Sequence, residues 1–349
     1  MKTLQNTFRR SSLKNAATYI LVLAAYVIFQ VMSSTGAISS SMKGMLVPIC
    51  AYVVMAMSLN LTVGVLGELS LGHAGFMSMG AFTGTAAALA LSDAIPSAPL
   101  RLAVAMLIGA AFAAVAGVLI GIPVLRLQGD YLAIVTLAFG EIIRNVLNCI
   151  YISVDGTALH VSFNKPDLPG KLIFRGPTGA TGVSRIATFT AGFLLVMFTL
   201  FVVINLIHSR SGRAIMAIRD NKIAAEACGI DVTKYRMMAF VTSAALAGMG
   251  GALFGLNYST LAPSNFSFNA SILILVYVVL GGIGNITGSV IAATVLYVLP
   301  EQLRAFADYR MLAYAVVLIA VMLITNNQHI KNFFTGFREK RKEKGGEAV

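Results

Sequence analysis

Charge is scarce in this chain. Of its 349 residues only 11% are Asp, Glu, Lys or Arg, while 57% are hydrophobic and the mean hydropathy is +0.81. Soluble domains carry about 25% charged residues, so an ordinary soluble fold is excluded. Several runs reach the ~20 apolar residues that cross a bilayer. The runs are continuous and lack period-two alternation, which excludes a β-barrel. Cysteine is sparse too. Cys50 and Cys149 fall in apolar runs and Cys228 in a polar loop, so no disulfide framework or metal spacing is suggested. No Gly-x-x-x-x-Gly-Lys-Ser/Thr is present, so the chain cannot cradle ATP phosphates itself. Neither a His-x-x-x-His spacing nor a nucleophile–base pair points to an intramembrane enzyme. The net charge of +12 invites a nucleic-acid reading. Its cations follow topology rather than one soluble face, which excludes that partner. No small-residue cleavage site follows the first apolar run, Ala17–Met32, so it reads as a retained span.

What remains is an all-α polytopic membrane protein. Met1–Asn15 carries Lys2, Arg9, Arg10 and Lys14 and no acid. By the positive-inside rule, residues 1–16 form a cytoplasmic tail. The permease-like body runs over 17–326, and a basic tail over 327–349 ends the chain on the same side. Spans are expected at Ala17–Ser34, Met45–Val63, Gly64–Gly84, Leu100–Val124, Gly129–Tyr151, Thr188–Ile207 and Met237–Leu256. Ser271–Pro300 holds the glycine break Leu280–Gly288. Unbroken, a helix of about 30 residues would be ~45 Å long, more than the ~30 Å core of a bilayer. It therefore counts as two short or re-entrant segments, and Arg310–Thr325 is the last span. About ten spans result, with most of the 26 cations inside. Residues 152–187 form the longest outside loop, its prolines and the glycine-rich stretch from Arg175 implying turns.

Three features stand out from the spans. Residues 209–236 are polar but rich in helix formers. Two short helices are expected there, capped at Asp220 or Asn221 and ended at Gly229. They share an apolar face of Ile215, Ile218, Ile223 and Ala227. Such a loop is either a dock for a soluble partner or a topology-setting inside loop. The second feature is the glycine-rich stretch from Gly64, with Gly67, Glu68, Ser70, Gly72 and His73. A backbone of this kind breaks a helix where protein or a cavity satisfies the freed groups, a device of transporters. Ionisable residues there are functional candidates; the alternative is a short inside turn, with His73 bonded to a neighbouring carbonyl. Gly64–Ser70 and Gly281–Thr287 share a Gly-x-x-Gly-x-x-Ser/Thr pattern, which suggests an internal repeat. The third feature is two four-residue stripes of small residues, Gly109–Gly121 and Ser243–Gly255, on which helices can pack closely. Glu141 and Arg144 can pair at i, i+3. That pair is either structural or, with Glu68 and His73, a proton relay.

Four stretches carry a family resemblance. They are Leu59–Phe76, Gly129–Arg144, Arg210–Asp231 and Val278–Ala293. Together, in this order, they resemble the permease subunits of high-affinity branched-chain amino-acid ABC importers, specifically the larger, LivM-type of two paired permeases. The resemblance covers about Met45 to Met322. It implies a type II importer-like permease in the bacterial inner membrane. Its partners would be a second homologous permease chain, two ABC ATPase subunits and a periplasmic amino-acid-binding protein. No cofactor would be bound by this chain, because ATP and Mg would sit on the ATPases. The loop would supply the coupling helices, with Arg213, Arg219, Asp220, Asn221, Ala225, Glu226 and Gly229 in the matching stretch. The importer signature begins Glu-Ala-Ala, whereas here the order is Ala224-Ala225-Glu226-Ala227. Gly67, Glu68, Ser70, Gly72, His73, Gly281, Gly282 and Gly284 are the candidates for the translocation path. The substrate would be Leu, Ile or Val, or urea, an amide or another amino acid on the same architecture. A proton-driven secondary transporter is the rival class.

Overall fold

The computed structural model describes residues 2–36, 39–92, 94–127, 129–155, 158–163, 171–303, 309, 312, 314–319 and 322. Helix α1 is Lys2–Ser34 and α2 is Ser40–Asn60, continuing as a π-helical turn over Leu61–Leu66. After an irregular stretch come α3 (His73–Ala90), α4 (Ala98–Val124) and α5 (Asp130–Cys149). Next are α6 (Phe189–His208), two short helices α7 (Arg210–Asp220) and α8 (Lys222–Ala227), α9 (Val232–Gly255), α10 (Phe268–Gly281) and α11 (Ile286–Gln302). Among the described residues, six helices are long and apolar enough to cross a membrane: Ala16–Ser34, Ser40–Leu66, Ala98–Val124, Asp130–Cys149, Phe189–His208 and Val232–Gly255. Each expected span up to Pro300 overlaps a helix, but 67–72 of the expected span Gly64–Gly84 is irregular, and neither α3 nor α10 is among the six. The last, 310–325, lies largely outside the described residues. Residues 1–294 and 295–349 form two compact units, and the packing described below belongs to the first.

α9 is the centre of this unit and packs most extensively on α3 and α4. The expected stripes explain how, with one correction. The residues of α9 that meet α4 are Ala244, Gly248 and Ala252, one position along from the expected set. A Cβ on Gly117 would sit 2.8 Å from that of Ala244, and one on Gly109 3.1 Å from that of Ala252. The expected stripe itself faces α2 and α3: Ser243 donates to the Ser58 carbonyl, and a Cβ on Gly251 would fall on the Met77 carbonyl. On the other side of α3, a Cβ on Gly75 would come within 2.9 Å of the Gly140 Cα of α5. In a membrane, where lipid tails are as apolar as leucine, such backbone-to-backbone contact is a main source of helix affinity.

The loop 152–187 is not merely turns. Strands β1 (Ile150–Asp155), β2 (Ala158–Phe163), β3 (Lys171–Arg175), β4 (Ala180–Thr181) and β5 (Thr260–Leu261) form one antiparallel sheet in the order β2-β1-β3-β4-β5. Ile152 pairs with Val161 and Phe174 with Ala180. Phe174 is buried against Phe82 of α3, ring centroids 5.3 Å apart. The sheet thus closes the end of the bundle away from α7 and α8.

Candidate coupling and gating site

The polar loop folds as two capped helices. Ser209 caps α7 by accepting from the Gly212 N–H at 3.0 Å, and Asn221 caps α8 by accepting from the Ala224 N–H at 3.0 Å. Gly229 ends the turn at φ +79°, a conformation that costs glycine little. The expected apolar face is split. Ile215 is fully buried against Leu61, Val65 and Leu66 of the π turn and Ala239 of α9. Ile218 packs with Ala225 and Val232. Ile223 instead points away and is 79% exposed, and Ala227 is exposed as well. The α7–α8 pair is therefore bolted to the body on one side and presents Arg213, Asp220, Ile223 and Glu226 on the other. The loop is also shorter than expected, because Asp231 already caps α9, accepting from the Lys234 N–H at 3.0 Å.

Beneath this pair lies the first glycine break. The π turn ends at Gly67, φ +81°, and a helix end leaves carbonyls without intrahelical partners. Arg219 fills one of them: its Nη1 donates to the Gly64 carbonyl at 2.9 Å. The Arg219 stem lies over Gly67, where a Cβ would come within 2.5 Å of its Cγ. On its other face, Gly64 touches the second break. A Cβ on Gly64 would fall on Asn60 Oδ1 and on the Gly284 nitrogen. Asn60, buried to 1% exposure, spans both breaks. Its Oδ1 accepts from the Gly284 N–H at 2.8 Å, and its Nδ2 donates to Ser289 Oγ at 2.8 Å. Gly281, Gly282 and Gly284 make the tight turn between α10 and α11, with Gly282 at φ +94° and Gly284 at φ +81°. Gly67 and Gly284, the fourth positions of the two repeated patterns, take the same left-handed conformation.

The remaining path candidates, Ser70 excepted, each have a partner or a close neighbour. Glu68 pairs with Arg236, which also donates through Nη1 to the Leu125 carbonyl at 2.6 Å. Burial pushes the Glu68 carboxyl above its ordinary range, and the Arg236 guanidinium pulls it back. Arg236 is 5% exposed; it belongs to the body and not, as its place in the sequence suggests, to the docking face. Glu68, Arg236, Arg219, Lys222 and Asp130 line a cleft of about 290 Å³ beside Gly67. Ser70 is buried with no hydrogen-bond partner for its hydroxyl. Gly72 lies against the Thr136 carbonyl of α5, and Leu71 N–H donates to Thr136 Oγ1 at 3.1 Å. His73 opens α3 and shares a 2.7 Å hydrogen bond with Ser58 Oγ, a hydroxyl rather than the expected carbonyl.

Several candidates thus come together: Arg219, Gly64, Gly67 and Gly284 form one joint. Others do not. Ala225 is buried, and Asn221 is exposed with its Oδ1 taken by the cap. Glu141 pairs with Arg144 at 2.8 Å and accepts from the Phe268 N–H at 3.0 Å, capping α10. Glu68, His73 and Glu141 are each engaged with a different partner. Sequence reasoning missed Asn60 and Arg236. The signal was a lone amide and a lone cation next to apolar helix, both costly to bury without partners.

Broken helices, a polar joint at their breaks and a folded loop anchored over it define a multi-pass membrane permease. Residues 41–325 match the family described as branched-chain amino acid transport system / permease component, and the chain belongs to that family. It is 33% identical over 333 residues to the high-affinity branched-chain amino acid transport system permease protein LivM of Salmonella typhimurium, covering 90% of this chain and 74% of that one. LivM of Escherichia coli is equally similar over the same shares. The ribose import permease protein RbsC of Escherichia coli is 25% identical over 92% of this chain and 96% of its own. No solved structure matches.

Proposed function

We propose that this chain is the transmembrane permease subunit of an ATP-binding-cassette importer in the bacterial inner membrane, with both termini cytoplasmic. It translocates leucine, isoleucine or valine released by a periplasmic binding protein. A second permease chain completes the conduit. Two ATPase subunits dock on α7 and α8 and hold the ATP and Mg, so this chain is not itself an enzyme. The observation that carries the reading is the α7–α8 pair, in which Ile223 is 79% exposed on one side while Ile215 is fully buried on the other. A short segment with an apolar anchor on each side suits a coupling element between two bodies. Glycine backbone and apolar side chains suit a path that holds its substrate weakly, and selectivity then rests with the binding protein.

The test is uptake by the assembled importer in liposomes. Labelled leucine should accumulate only with ATP and binding protein, and should persist when a proton gradient is collapsed. Charge reversal at Glu226 should abolish uptake while the protein stays in the membrane. Leucine accumulation by this chain alone would overturn the reading. The relative RbsC, named for ribose, favours a second reading, in which the same architecture serves another substrate. Competition by urea, other amino acids and ribose separates the two.

A further inference from the structure

Hydrogen bonds on either side of Gly64, joined by its close contact with Asn60 and Gly284, connect α7 to the second glycine break. Arg219 of α7 donates to the Gly64 carbonyl at 2.9 Å. Gly64 abuts Asn60 and Gly284, and Asn60 accepts from the Gly284 N–H at 2.8 Å. Its amide nitrogen donates to Ser289 Oγ at 2.8 Å, and that hydroxyl donates in turn to the Asn285 carbonyl at 3.2 Å. Asn285 closes the turn by donating its N–H to the Gly282 carbonyl at 2.9 Å. One buried side chain therefore holds the α10–α11 turn at two points, and one exposed-loop arginine holds the helix that carries it.

The chemistry at this joint differs from that of the surrounding core. Helices α3, α4 and α9 touch largely through glycine and alanine, with an edge contact of Phe76 on Phe240, and among the described residues no side-chain hydrogen bond joins the three helices to one another. At Asn60 the breaks are held by two directional hydrogen bonds and a glycine contact. Unwound backbone has lost its own hydrogen bonds, so it needs these partners in either of two arrangements. A set of few, directional bonds between two irregular segments is the kind of element that can take discrete alternative states.

We infer that Asn60 is the positioning residue that makes the two glycine breaks move as one, and that Arg219 links this joint to the coupling helix. The inference rests on the reading of α7 and α8 as ATPase-coupling helices. Displacement of α7 pulls on the Gly64 carbonyl. Because Asn60 sits one helical turn before Gly64 and holds Gly284, the α10–α11 turn follows. A conduit lined by both breaks then opens or closes in one step rather than leaking through one half.

The test uses the complete importer, purified with its ATPase and second permease chains, placed in liposomes and supplied with binding protein. ATP hydrolysed per leucine carried is measured for wild type, Asn60→Ala, Arg219→Met, their double variant and Ser289→Ala. Arg219→Met keeps the stem over Gly67 and removes the donor. Couplings between sites are commonly about 5- to 150-fold. Asn60→Ala is expected to raise the ratio about tenfold and Ser289→Ala, which loses one of the two Asn60 contacts, about threefold. The double variant should be no worse than the worse single, because both break one connection. An unchanged ratio, a parallel fall of hydrolysis and uptake, or singles that multiply in the double would overturn the inference. Should Asn60→Ala fail to assemble, Ser289→Ala decides alone: a raised ratio supports and an unchanged one overturns. If wild-type uptake needs no ATP, the coupling reading has failed and this inference falls with it, which the control shows before any variant is compared.

Discussion

Two regions of the unit, one buried and one partly exposed, are held together in opposite ways. Where α3, α4 and α9 meet, residues such as Gly80, Gly248 and Gly251 bring backbone against backbone. Around Gly64 and Arg236, buried amide, guanidinium and carboxylate groups do the holding. The first kind of contact has a single best fit, because close packing of small residues leaves no second register at equal cost. The second kind consists of a few directional bonds that can be exchanged for others. The difference assigns the two regions different work. Under the inference drawn above, the small-residue core would be the rigid body, and the polar joint the place where force applied at α7 changes shape.

The sharpest way to break this contrast is to give the core a side chain. A Cβ on Gly80 would fall on the Gly248 carbonyl, which belongs to backbone and cannot step aside. Gly80→Val is expected to leave no folded protein after detergent extraction, as read by size-exclusion profile. Recovery of a normal profile would show that the core can adjust and is not the rigid part. Next in size is Arg236→Ala. It leaves Glu68 without its cation and the Leu125 carbonyl without its donor. Removing one partner of a buried pair costs about 3–5 kcal/mol. The thermal midpoint in detergent should fall clearly, and Glu68→Ala on top should recover part of the loss, because the orphaned charge goes with it.

The smaller third effect concerns the outer side of the coupling element. Ile223 touches nothing that holds the fold, being 79% exposed. Ile223→Asp should leave the thermal midpoint unchanged while weakening capture of the ATPase chains about tenfold, since central apolar anchors commonly carry more than 1 kcal/mol. A binding assay with purified ATPase reads this directly. Equal binding would move the docking surface elsewhere on α7–α8.

How much of this could be read from the chain depends on the kind of signal. Spans are long and continuous, and six of those expected coincide with the membrane-length helices, whereas Gly64–Gly84 is helical only from His73. Caps at Asn221 and Asp231 are local signals; the first is one of the two expected, Asp220 or Asn221, and the second was not expected. The sheet was missed although Ile150–Asp155 and Ala158–Phe163 alternate around Asp155–Gly156, a strong hairpin signal. Its location in a loop of a helical membrane protein hid it. The split face of α7–α8 could not be read, because spacing alone cannot tell a face turned to the body from one turned to a partner. Asn60 was invisible for a deeper reason. Its value lies in Gly284 and Ser289, more than 200 positions away in sequence, and no local pattern reports that distance.

The smallest effect separates the two tasks of Glu141. Its Oε2 pairs with Arg144, and its Oε1 accepts from the Phe268 N–H at 3.0 Å, supplying a cap that Ser267 does not. Both charged side chains are about a quarter exposed, so the ion pair is screened and worth roughly 0–1 kcal/mol. A lost cap costs about 1 kcal/mol, because it strands an N–H at a helix start. Glu141→Gln keeps an acceptor for Phe268 and removes only the charge; its thermal midpoint should stay within about a degree of wild type. Glu141→Ala removes both and should fall further, by about 2 °C, because a shift of about 1 kcal/mol moves the midpoint less as a chain lengthens. A fall for Glu141→Gln as large as for Glu141→Ala would place the charge, not the cap, at the junction of α5 and α10. It would also return Glu141 to the candidates for ion movement.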